Sequence, residues 1–179
     1  MHMATSNKPW TRAELERFPV DGNRYEVLDG ELLVTPLPGG PHQRVAIRLG
    51  GLLSAYCDRH RIGSGAAPGP VPHGENELQP DIAIFLDPSV PFEAAWERYP
   101  RASLVVEILS PSTQHRDRGV KRDAYLRWGI PEYWIVDTEN REVTTVRPGR
   151  DDERVVDSIH WQPRDNLPAL QIALTELFR

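Results

Sequence analysis

The chain has 179 residues, 39% of them hydrophobic and 26% charged, which fits one soluble globular domain with a substantial core and excludes a disordered chain. Its 21 basic and 26 acidic residues leave a formal net charge of −5, so nucleic acid is not held through overall positive charge and only a local basic face stays open. The single Cys57 excludes an internal disulfide framework and fits a reducing compartment; without a secretory signal or a bilayer-length apolar stretch, the expectation is a cytoplasmic protein with no membrane contact.

No repeat or linker divides the chain, so 1–179 reads as one domain, with residues 1–10 expected to be a disordered or appended leader. Thr11 and Glu14 have capping-box spacing and predict a short helix over about 12–17. Residues 24–35 read as a hairpin turning at Asp29-Gly30. Pro41 then opens a longer helix whose apolar face is Val45, Leu49, Leu52, Leu53 and Tyr56. The glycines and alanines of 62–71 suggest an irregular strand. Strands follow at Gln79-Pro-Asp-Ile-Ala-Ile-Phe-Leu86 and Ser103-Leu-Val-Val-Glu-Ile-Leu-Ser-Pro-Ser112, separated by a Pro-rich excursion over 87–101. Ser112 or Thr113 caps a second helix predicted to run to Gly129, a good residue for a helix end. Beyond it lie the strand Glu132-Tyr-Trp-Ile-Val-Asp137, a closing hairpin of 141–147 with 153–159, and a Leu/Ile-rich end. The order predicts an α/β (α+β) domain, a mixed sheet with helices packed on it.

Glu107 is the most informative residue. It interrupts an apolar run that reads as a central strand covered on both faces, where an ionised carboxylate is costly without a cation or several donors. Asp81 poses the same problem on the preceding strand. Two acids on neighbouring strands suggest a seat for a hard divalent cation, which prefers oxygen ligands. On the following helix Asp117, Lys121 and Tyr125 recur at intervals of four and share one face, so Lys121 can point at the two acids. Two acids and a lysine are what metal-assisted phosphodiester cleavage requires.

Together these segments resemble the PD-(D/E)XK, or restriction-endonuclease-like, nuclease superfamily. More narrowly they are similar to a bacterial endonuclease family within it, through Tyr25-Glu-Val-Leu-Asp-Gly-Glu31, Pro80-Asp-Ile-Ala83, Val105-Val-Glu-Ile-Leu-Ser-Pro-Ser112, Asp117, Lys121, Tyr125 and Glu132-Tyr-Trp-Ile-Val-Asp137. The resemblance spans roughly residues 12–179. It implies an αβββαβ core, with the early helix and hairpin and the late strands as additions. It also implies Asp81 and Glu107 as Mg²⁺ or Mn²⁺ ligands, with the Ile108 backbone carbonyl a third. The chain departs from the Glu-x-Lys pattern, because Leu109 stands where the superfamily has lysine; Lys121 is the candidate replacement. Glu26 is a further candidate ligand, balanced against an exposed strand glutamate. Asp117 and Tyr125 are candidates for orienting the ligands.

The implied function is a metal-dependent endonuclease acting on DNA, with a homodimer suited to paired strand cuts. A rival reading, from another class, keeps the fold as a catalytically inactive binding or interaction module associated with mobile-element or defence proteins. Hydrolysis of a non-nucleic phosphodiester would use the same residues. Arg116, Arg118, Arg122 and Arg127 fit phosphate contacts or an ordinary charged helix face equally well. His42, at the start of the first long helix, is within reach of the site, although a capping or surface role is the favoured reading, and Cys57 near His60 reads as a packed thiol rather than a nucleophile. Gly63-Ser-Gly65 and Gly69 lack phosphate-loop spacing, and the six histidines lack zinc-ligand spacing. The 87–101 excursion, with Trp96 and Tyr99, reads as a packed surface loop.

Overall fold

The computed structural model describes residues 8–66, 68–91 and 93–179. A 3-10 turn (Arg12–Arg17) leads into β1 (Arg24–Leu28), β2 (Glu31–Thr35), α1 (Gly40–His60), β3 (Ser64–Ala66), β4 (Val71–His73), β5 (Asn76–Leu78) and β6 (Ile82–Phe85). A second 3-10 turn (Trp96–Arg98) precedes β7 (Leu104–Ile108), α2 (Gln114–Arg118), α3 (Val120–Arg127), β8 (Tyr133–Asp137), β9 (Glu142–Val146) and β10 (Glu153–Val155). The chain finishes with β11 (Ser158–Trp161), β12 (Leu170–Ala173) and α4 (Leu174–Leu177).

The main sheet has six strands in the order β10-β9-β8-β7-β6-β3. Only β7 and β8 run parallel, and the crossover that parallel neighbours need is supplied by α2 and α3. β7 is buried at every position, Glu107 included, as expected of a central strand covered on both faces. Its alternation sorts the core: Leu104, Val106 and Ile108 pack with α1, while Val105 and Leu109 pack with α3 and the hairpin strands. Glu107 shares the parity of the second set and so points to the α3 side.

The expected mixed sheet and its helices are present. Asp29 and Gly30 both take positive φ, 51° and 85°, which is the turn that matches strand twist in a two-residue hairpin. Gly129, with φ 71°, ends α3 in a Schellman arrangement: its N–H reaches Leu126 O and the Ile130 N–H reaches Tyr125 O.

Five details differ from the sequence expectation. The single helix expected up to Gly129 is two, because Gly119 breaks it with φ −115° and ψ −103°. Leu52, expected on the buried face of α1, is 42% exposed; it adjoins Leu53, which takes the inward direction. The irregular stretch 62–71 resolves into β3 and part of a separate four-stranded sheet, β2-β1-β5-β4, whose strand β5 the reading missed. Only the first half of the closing hairpin forms: β10 pairs with β9, but β11 turns away to pair with β12. Of the expected leader, residues 1–7 lie outside the described residues. Trp10 already belongs to the packed chain, since its N–H donates to Gly30 O at 2.8 Å and its ring lies 5.5 Å from Phe18.

Candidate functional site

The carboxyl-terminal end of β7 carries Glu107, and the start of β6 carries Asp81 beside it. Where β6 runs out, the Asp81 side chain takes over its role: Oδ2 accepts the Ile108 N–H at 2.8 Å. Main-chain groups of one strand residue point to the same edge, so the Ile108 carbonyl also faces this side. Asp81 Oδ2 lies 3.0 Å from His42 Nε2, while Oδ1 accepts from Arg24 Nη2 at 2.7 Å. Burial works against the Asp81 charge, but His42, Arg24 and the Ile108 N–H together hold its carboxyl below the ordinary value.

Glu107, 3% exposed, accepts from Lys121 Nζ and from the Tyr125 hydroxyl at Oε1, each at 3.0 Å. Lys121 also donates to Glu26 Oε1 at 2.8 Å and lies 3.9 Å from Asp117 Oδ1. Glu26 is delivered by β1 and receives the Gln79 N–H at 2.8 Å. Despite the break at Gly119, Asp117, Lys121 and Tyr125 stay on one side and are all buried. The Tyr133 hydroxyl donates to the Asp117 carbonyl at 2.9 Å, which ties α2 to β8.

Burial lifts Glu107 far above the usual carboxylate range, to about 8, and the Lys121 charge only partly offsets that against Asp117, Asp81 and Glu26. Asp117 is raised by burial too. Burial opposes the Lys121 charge, yet the surrounding Glu107, Glu26 and Asp117 hold its ammonium above the ordinary lysine value. The ammonium is the firmer charge of the Glu107–Lys121 pair, because three carboxylates surround it. Four buried acids, Glu26, Asp81, Glu107 and Asp117, thus face two permanent cations, Arg24 and Lys121. The buried oxygens Glu26 Oε2 and Asp117 Oδ1 accept no hydrogen bond among the described residues.

With all four acids ionised the cluster would carry two negative charges in excess, which is what a divalent cation would neutralise. The donors are hard oxygens, which suits Mg²⁺ or Mn²⁺. Among the described residues, no three His, Cys, Asp or Glu side chains gather to hold a metal by themselves. An ion here would therefore rest on Asp81, Glu107 and the Ile108 carbonyl, with waters completing its shell; Mg²⁺ is commonly bound in this open way. The residues fit.

Two members of the cluster were not among the site residues expected from the sequence. His42 is not a capping or surface residue: it is buried, and its ring meets Asp81 across α1. Arg24 drew no attention, although strand period places it on the same face as Glu26 two residues later. The helix arginines do not form a free phosphate patch. Arg118 pairs with Asp137, Arg122 with Asp152 and Asp123, Arg127 with Asp29, and Arg116 reaches the Val34 carbonyl. Cys57 is fully buried, which raises its thiol to about 11 and fits the packed role expected. Trp96 and Tyr99 pack on Phe85, with ring centroids 6.3 and 5.0 Å away, at the end of β6 opposite Asp81.

A strand-borne acid pair, a lysine from the following helix and a sheet of this order define the class: the fold is restriction-endonuclease-like. A solved structure described as a "putative nuclease" from Anabaena variabilis superposes with a TM-score of 0.77, covering 95% of this chain and 98% of that one at 20% identity. The model of the Uma2 family, described as "Putative restriction endonuclease", matches residues 12–176, and the chain belongs to that family. The Synechocystis protein slr1290 is 26% identical over 155 residues, covering 85% of this chain and 80% of the relative. No helix among the described residues is long and apolar enough to cross a membrane.

Proposed function

We propose that this protein is a Mg²⁺- or Mn²⁺-dependent endonuclease hydrolysing DNA phosphodiesters, with the cation held by Asp81, Glu107 and the Ile108 carbonyl. The observation that carries the reading is the cluster itself, four buried acids against two permanent cations, with two carboxylate oxygens that accept no hydrogen bond among the described residues. When bound, the ion would polarise the phosphate and acidify a water. The chain's own groups do the rest. Tyr125 and Lys121 fix Glu107 in one orientation, while the Ile108 N–H and His42 fix Asp81. Lys121 keeps its proton and so presents a positive charge where negative charge gathers on the phosphate. Glu26 and Asp117 hold that ammonium in place.

The test is cleavage of plasmid and single-stranded DNA with Mg²⁺ or Mn²⁺, for wild type beside Glu107→Gln and Lys121→Ala. Loss in both folded variants supports the whole assignment, and loss in Glu107→Gln alone removes Lys121 from it. A wild type that cuts nothing and binds neither ion in calorimetry sinks the reading. The binding-module rival draws on one observation: Lys121 and Arg24 already neutralise much of the acid cluster. Two strand cuts would suit a homodimer in the cytoplasm, which light scattering of the purified chain tests for assembly.

A further inference from the structure

Two cavities meet at Arg24. The smaller, about 20 Å³, is lined by Asp81, Glu107, Ile108, Asp117 and Lys121 among others. The larger, about 350 Å³, lies between the start of β1, residues 36–38 and the first turns of α1. Arg24, His42 and Asp81 border both. The smaller volume has room for roughly one or two waters. Mg²⁺ bound through one or two carboxylates keeps several. A hydrated ion therefore needs a side chain to move.

The neighbours differ in their freedom to do so. Lys121 has a side chain 4% exposed and is held by Glu26 and Glu107. His42 is buried on α1. Arg24 is 18% exposed and has the 350 Å³ cavity directly beside it. Its guanidinium donates to Asp81 Oδ1 and the Gln79 carbonyl, both at 2.7 Å, and Nη1 lies 4.0 Å from Glu107 Oε2. The head thus spans the same two carboxylates that would hold the ion.

We propose that Arg24 is a substrate-phosphate-binding residue whose guanidinium occupies the cation seat until an ion displaces it, and which then turns into the larger cavity to meet the phosphate. This rests on the metal-dependent reading above. The ion and the guanidinium compete for Asp81, and afterwards both act on one phosphate. The planar fork of arginine suits both tasks, since it binds carboxylate and phosphate in the same way. Cation entry exchanges one counter-charge for another, so Asp81 is never left unpaired in a buried place.

The test uses the full chain and Mn²⁺ in calorimetry, with wild type, Arg24→Ala and Arg24→Gln compared. Both variants are expected to bind Mn²⁺ about tenfold more tightly, the worth of one charge-assisted hydrogen bond. Millimolar guanidinium, below denaturing levels, is expected to weaken Mn²⁺ binding to Arg24→Ala and leave wild type unaffected. A labelled oligonucleotide, measured with Ca²⁺, is expected to bind both variants about tenfold more weakly. A purely structural role for Arg24 would lower both affinities together. If wild type binds Mn²⁺ but the variants bind it equally or less well, or guanidinium does not compete, the Arg24 proposal falls and the metal reading stands. If none of the three binds Mn²⁺, the metal reading falls and takes this proposal with it.

Discussion

The two faces of β7 are made by alternate residues of one run, Leu104 to Leu109, yet they do opposite things. Leu104, Val106 and Ile108 meet α1 in an apolar layer with Trp134 and Trp161. On the other face, Val105 and Leu109 flank Glu107, and the neighbouring helix offers Glu107 the Lys121 ammonium and the Tyr125 hydroxyl beside apolar Ala124. One face gains stability from area removed from water; the other carries charges whose burial must be offset group by group. Division of labour across one strand lets a costly cluster sit at the centre of a rigid sheet, because the opposite face supplies the rigidity.

The largest effect expected on this contrast comes from the apolar face. Trp134→Ala should cost about 3–5 kcal/mol of unfolding free energy in chemical denaturation, by loss of contacts and cavity formation. Whatever fraction remains folded should keep its calorimetric Mn²⁺ affinity. On the charged face, Lys121→Ala removes one partner of a buried network and should destabilise by about 3 kcal/mol near neutral pH. Part of that loss should return on acidification, as the stranded acids take up protons. A loss from Trp134→Ala that recovered with acid, or one from Lys121→Ala that did not, would erase the distinction between the faces.

A subtler effect follows from Glu107. Its folded value lies above its ordinary value of 4.5, at about 8, so its contribution to stability is complete at pH 4 and is lost as pH rises through 8. Without added cation, Glu107→Gln should therefore gain stability relative to wild type across that rise. The increase in Tm caused by Mg²⁺ should grow over the same interval in wild type and be absent from the variant. Smallest of all, Arg127→Ala breaks an ion pair with Asp29 in which both side chains are more than half exposed, and should change unfolding free energy by less than about 0.5 kcal/mol.

Legibility in the sequence followed the same division. Asp81 and Glu107 were visible because each interrupts a strand pattern that has a reason to exclude charge, and Lys121 because it shares a helix face with Asp117 and Tyr125; the structure gathers all three. Glu26 was half visible: its hairpin could be read, but the lysine that receives it comes from 95 residues away. His42 was misread because helical position says which face a ring takes and not which strand end it will meet. Gly119 gave no warning of a break, since a lone glycine is tolerated within a helical pattern. The departure of 158–159 from the expected pairing with 141–147 to one with β12 was hidden for a similar reason, as both pairings satisfy local alternation and tertiary packing decides between them.

The bond from the Ile108 N–H to Asp81 makes one side chain an honorary piece of backbone. Asp81 continues the ladder where β6 has ended, so the spacing of the two acids is indexed to strand registry rather than to rotamer choice. Substitutions at position 81 consequently act on architecture and charge at once. Asparagine keeps an acceptor for the Ile108 N–H but loses the charge and the oxygen that accepts from Arg24, whereas alanine strands the buried Ile108 donor as well. The stability difference between Asp81→Asn and Asp81→Ala is thus a direct gauge of what the surrogate ladder rung contributes to the sheet.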